Sequence, residues 1–157
     1  MNQTPELISG TRHWLALGLI LASGALAGIA PAAGQSPDQH AAMVTGGRVT
    51  YRIYCTSCHG AKGQGDGKLA GFLSYPPADL TTLARDSADG SFPTDLVQAV
   101  VDGRKQLPGH GAGDMPAWGT VFQTLTAEGE DAEQDAQRRI RELVAFLETI
   151  QAATPTP

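Results

Sequence analysis

The sequence predicts an all-α fold of three to four helices, and three observations carry that expectation. Apolar residues recur at helical spacing in two stretches, around Leu96 to Val101 and Ile140 to Ile150. Long β-branched runs are absent. Between the periodic stretches, glycine and proline cluster densely enough to prohibit regular structure. At 157 residues the chain supports one domain, and no internal repeat is visible.

The elements follow in order. Arg12 and His13 precede an uncharged run from Trp14 to Ala30, followed by Pro31-Ala32-Ala33. A basic residue, an apolar core and small residues at the end read as a secretory signal peptide over 1–33, cut after Ala32 or Ala33. The alternative is an uncleaved N-terminal anchor, since the run reaches the lower limit of a bilayer span, about 17 residues. Residues 34–40 read as a polar linker, and a first helix runs from Ala41 or Ala42 to Cys55. The stretch GAKGQGDGKLAG (60–71) reads as loop, and Tyr75-Pro76-Pro77 as extended chain. A short helix is expected over Asp79 to Ala84.

The next helix has Thr94 as its N-cap, Asp95 in its first turn, a stripe of Leu96, Val97, Val100 and Val101, and Gly103 as its stop. From Arg104 to Trp118 the chain is glycine-rich loop again. The last helix is the clearest, with Ile140, Leu143, Val144, Leu147 and Ile150 on one face. The acidic stretch before it, EGEDAEQD (128–135), reads as a solvated helix start. Residues 152–157 form a loose tail, which leaves 41–151 as the folded domain.

The chemistry lies in Cys55-Thr56-Ser57-Cys58-His59, which holds both cysteines of the chain. C-x-x-C-H is the attachment signature of c-type haem. Residues three apart share a helix face, so both sulfurs can add to the vinyl groups along one haem edge. The histidine that follows then binds iron. Two rival readings of C-x-x-C find less support. A thioredoxin-like motif expects a βαβ pattern nearby, and a helix runs into this motif instead. Zinc needs four Cys or His ligands in paired spacing, whereas His13, His40 and His110 are scattered. One motif implies one haem, covalently bound through Cys55 and Cys58, with His59 on the iron. The predicted fold is therefore helices packed around that group. Such a chain has little helix-on-helix surface of its own, so the haem-free form is expected to be mostly unfolded.

The second axial ligand must come from elsewhere. Met43 lies on the helix leading into the motif and cannot easily fold back over the far haem face. Met115 sits in a loop before Pro116, where it can close over that face. A thioether suits haem iron and raises the potential relative to a second imidazole. His110, just upstream, is the competing ligand; Met115 could instead be a packing residue.

These residues resemble the class I c-type cytochromes, the small bacterial periplasmic monohaem family. The likeness runs from about Thr45 to Gln151. It rests on CTSCHG (55–60), GQGDG (63–67), PPADLT (76–81) and DMPAWG (114–119), with Gly47 and Tyr51 before the motif and Leu143 and Phe146 in the last helix. The resemblance implies a cytochrome c fold whose first and last helices cross, with Gly47 allowing close approach beneath Phe146. It also implies a backbone carbonyl, from Pro76 or Pro77, accepting the proton of the other His59 ring nitrogen. Trp118 is expected to pack near the haem. Relatives commonly have proline after the G-D-G element, where this chain has Lys68.

The function expected is one-electron transfer in a periplasmic respiratory chain, with His59/Met115 ligation. The alternatives are a cytochrome subunit of a multi-subunit dehydrogenase or oxidase, a haem enzyme or gas sensor with an open axial site, and a non-haem thiol oxidoreductase. No nucleophile–base pair is visible, and GAKGQGDG lacks the strand before it and the Lys-Ser/Thr after it that a phosphate loop needs. That argues for an electron-transfer protein rather than an enzyme. The net charge of −5 argues against nucleic acid as a partner. Lys62, Lys68, Arg104 and Lys105 flank the haem region as a local basic rim. Redox proteins are the expected partners, and the membrane is one only if the N-terminal segment stays uncleaved. The chain is expected to be a monomer.

Overall fold

The computed structural model describes residues 36–108, 113–127, 129 and 131–153, which fall within one compact unit. The expected signal peptide or anchor and His110 lie outside the described residues. Those described form five α-helices and one 3-10 turn, with no β-strand among them. The helices are α1 (Pro37–Tyr54), α2 (Thr56–His59), α3 (Thr94–Asp102), α4 (Trp118–Thr124) and α5 (Ala132–Thr149); the 3-10 turn is Ala70–Phe72. The fold is all-α, as predicted.

Helix α1 starts earlier than expected, so residues 37–40 are its first turn and not linker. The cause is a capping box. The Ser36 hydroxyl accepts from the Gln39 amide at 3.3 Å while the Gln39 side chain accepts from the Ser36 amide at 2.9 Å, and Pro37 follows the cap. Helix α5 is capped by Asp131, which accepts from the Gln134 amide at 3.0 Å. Its apolar stripe of Ile140, Leu143, Val144 and Leu147 is buried, and Ile150 packs at its end.

Helices α1 and α5 pack together more extensively than any other pair. Gly47 makes this possible. A methyl group there would land on the backbone carbonyl oxygen of Glu142. The close approach is thus to the Glu142–Leu143 backbone rather than to Phe146. Phe146 lies one turn farther along α5, with its ring 5.3 Å from that of Tyr51 and the Arg48 guanidinium 5.1 Å from its centroid.

Three other expectations change. The stretch from Asp79 to Ala84 forms turns instead of a helix, because the Asp79 carboxylate accepts from the Thr81 amide (2.8 Å) and hydroxyl (2.6 Å). Thr94 is the first residue of α3, and Pro93 holds the cap position. Gly103 ends the helix in the left-handed region, at φ 90°. The acidic stretch is not wholly solvated either. Asp135 is 8% exposed and accepts from Arg139 Nε (2.7 Å), Arg138 and the Thr126 hydroxyl (3.1 Å).

Candidate functional site

The C-x-x-C-H segment is where α1 breaks and restarts. Cys55 caps α1, and its carbonyl accepts from the amides of Cys58 (3.3 Å) and His59 (2.9 Å), closing the single turn of α2. A helix end leaves its last carbonyls without helical partners. Here the glycine-rich loop supplies them: the carbonyls of Ser57, Cys58 and His59 accept from Leu69 (2.8 Å), Gly67 (3.1 Å) and Gly65 (2.9 Å). Gly65 needs its positive φ of 75°, and Gly67 lies so close to Ser57 and Cys58 that a side chain would overlap their backbone. The loop is therefore a collar on the motif. From below, the buried Tyr51 hydroxyl donates to the Gly60 carbonyl at 2.7 Å.

Cys55, Cys58 and His59 face a cavity of about 380 Å³, within the roughly 300–1,000 Å³ usual for cofactor and ligand sites. Its walls are mostly apolar. Tyr51 and Tyr54 of α1, Val97, Val100 and Val101 of α3, and Leu143 and Leu147 of α5 form much of them. The segment from Leu73 to Leu80 supplies another side, and Met115 and Trp118 line the cavity together with the cysteines and His59. Trp118 opens α4, its ring 5.3 Å from Tyr54 and 5.5 Å from Phe122. Helix α4 was missed in the sequence because its seven residues are too few to show a periodicity.

His59 is buried, with Nδ1 3.1 Å from the carbonyl oxygen of Ala78. A carbonyl can only accept, so Nδ1 carries the proton and the lone pair lies on Nε2. The partner is thus Ala78, not Pro76 or Pro77. The Pro77 carbonyl oxygen lies close against Gly65 instead.

The cysteine environment bears on the rival readings. Burial and then the proximity of Cys58 push the Cys55 thiol up to about 12, opposite to the depressed value that thiol exchange uses. Neither cysteine is in a disulfide. Among the described residues no three His, Cys, Asp or Glu side chains converge as a zinc site would require. An apolar cavity with two thiols, a partly buried thioether and an oriented imidazole on its walls fits a large flat group that is both thioether-linked and iron-bearing.

Comparison with known families decides the matter. The family model described as cytochrome c oxidase, cbb3-type, subunit III matches residues 42–132, more than half of the chain. The chain belongs to this family of class I c-type cytochrome domains. No curated protein matches it. The cytochrome domain binds haem c covalently, with its iron, and functions in electron transfer. The match takes in the C-x-x-C-H turn, its collar, α3, Met115 and α4, and ends as α5 begins. In the cytochrome domain Lys62, Lys68, Arg104 and Lys105 are all exposed, and none lines the cavity. Arg104 is paired with Asp102. No helix among the described residues is long and apolar enough to cross a membrane.

Proposed function

We propose that this chain is a monohaem one-electron carrier of the periplasm, with thioether bonds to Cys55 and Cys58 and axial ligands His59 and Met115. The observation that carries the reading is that these four side chains line one apolar cavity. Haem iron held there supplies reversible ferrous–ferric chemistry. The protein's own contribution is positional. Ala78 fixes the imidazole tautomer, a hydrogen bond of the kind that also raises a ligand's basicity. The valines of α3 and the leucines of α5 give the cavity apolar walls, and a thioether as the second iron ligand would raise the potential relative to bis-histidine ligation.

Optical spectra recorded during a redox titration of the purified holoprotein test the reading. A single one-electron wave, a low-spin spectrum and a sulfur-to-iron charge-transfer band in the ferric form are expected. Met115→Ala should abolish that band and open the reduced protein to carbon monoxide. An unchanged ligand spectrum would exclude Met115 from the iron. Soret absorbance that survives acid–acetone extraction, and fails to in Cys55→Ala with Cys58→Ala, tests the thioethers. Export is supported by the basic, apolar and small-residue pattern of 1–33. N-terminal sequencing of the mature protein should begin at Ala33 or Gly34; an intact, membrane-retained chain would identify an anchor.

The family description favours one second reading, a constitutively bound cytochrome subunit of an oxidase or dehydrogenase. Stoichiometric co-purification with a larger redox complex distinguishes it from a freely diffusing carrier.

A further inference from the structure

We propose that Asp114 is a positioning residue that latches the Met115 loop across the cavity rim, and so sets how readily the thioether leaves the iron. The inference rests on the ligation reading above and concerns this chain's own residues. Met115 is suspended between two anchors. On its C-terminal side, the Trp118 ring packs at a tilt against Tyr54, Ala117 packs against Gly103, and Gly119 fits closely against Asp102. On its N-terminal side, the Asp114 carboxylate accepts from the Ser74 amide at 2.6 Å, forty positions away in the chain.

Ser74 is itself tied to the haem-attachment turn. The Leu69 amide donates to the Ser57 carbonyl (2.8 Å), Ala70 to Gly67 (2.9 Å), and Phe72 to Leu69 (3.0 Å), which builds the 3-10 turn just before Ser74. Hydrogen bonds, together with the short covalent stretch from Phe72 to Ser74, therefore link the C-x-x-C-H turn, along the rim, to the residue next to the thioether. Leu73, Tyr75, Asp114 and Met115 all line the cavity, so the latch spans its edge. The bond requires an acceptor oxygen at Asp114 and the Ser74 amide as its donor. Breaking it frees one end of the loop and raises the population of the sulfur-dissociated state. An external ligand then binds with correspondingly higher apparent affinity.

The test is imidazole titration of the ferric holoprotein, following loss of the sulfur-to-iron band, with thermal melting recorded in parallel. Asp114→Ala should tighten apparent imidazole binding about tenfold, equivalent to roughly 1.4 kcal/mol, and speed its association. Asp114→Asn, which keeps an acceptor oxygen, should stay within about twofold of wild type. Ser74→Pro removes the donor amide at a position whose preceding residue, Leu73, is already extended at ψ 149°. It should match Asp114→Ala, and the double variant should add nothing further. Asp114→Ala and Ser74→Pro that both bind imidazole as wild type does would overturn the latch. So would an Asp114→Asn that behaves like Asp114→Ala, since loss of charge would then suffice. Met115→Ala separates this failure from that of the ligation reading: a band that persists in Met115→Ala removes Met115 from the iron, whatever Asp114 does.

Discussion

Tyr51 shows how much one side chain near the motif is asked to do. Its ring is fully buried against Phe146, and its hydroxyl donates to the carbonyl of Gly60, the residue directly after His59. Burial above all raises its phenol well above the usual range, so the donor keeps its proton at any physiological pH. Tyr51→Phe retains the packing and orphans a buried acceptor. It should cost about 1–2 kcal/mol in denaturant melts of the holoprotein, and no loss would mean water replaces the hydroxyl. Asp135 gives a pH dependence. Burial works against its carboxylate, but hydrogen bonds from Arg139, Arg138 and Thr126 outweigh that and hold its pKa below the usual range. A carboxyl depressed in the folded state contributes stability that is present above its unfolded value, about 4. That stability is lost as pH falls through the lower folded value. The Tm of wild type should therefore drop on acidification below pH 4 more steeply than that of Asp135→Asn, and parallel curves would count against the role.

Among the elements, the contact between α1 and α5 is the one a single atom can break. Gly47 faces the Glu142 carbonyl with no room for a methyl, and neither helix can retreat without opening the core at Leu143 and Tyr51. Overpacking of this kind costs typically 1–3 kcal/mol. For Gly47→Val, where backbone must move, the loss should reach the top of that range, about 3 kcal/mol, read as a lowered Tm of the holoprotein. An unchanged Tm would remove Gly47 from the contact. The collar loop is held by backbone hydrogen bonds to α2 rather than by side chains, which is why glycines serve there. Its loop character was legible from those glycines, whereas its partners were not. They are carbonyls, and carbonyls carry no sequence signal.

For the whole molecule, the cavity is the dominant energetic fact. At about 24 cal/mol per Å³, a cavity of about 380 Å³ corresponds to a penalty on the order of 10 kcal/mol if left empty. That equals the whole net stability of an ordinary domain, about 5–15 kcal/mol. The chain without haem should therefore be largely unfolded, with weak helical circular dichroism and no cooperative melt. Native-like helicity in the apoprotein would refute this. The exposed Phe72 (86%) and Tyr75 stand beside the rim of the same cavity, so the apolar surface outside and the apolar surface inside belong to neighbouring stretches of chain.

The sequence by itself determined the chemistry and the outline: two cysteines three apart with a histidine after them, an apolar stripe on the last helix, glycine where helices must touch or stop. Each is a local pattern, set by helical spacing or by the absence of a Cβ. The capping box at Ser36 was equally local and could have been read from S-P-D-Q. Only the tertiary structure decided which carbonyl meets His59, which backbone Gly47 meets, and that Asp135 is buried between arginines. It alone placed Met115 on the same cavity as His59 and tied Asp114 to Ser74. Those facts depend on backbone direction and on pairs far apart in the chain, and residue identity records neither.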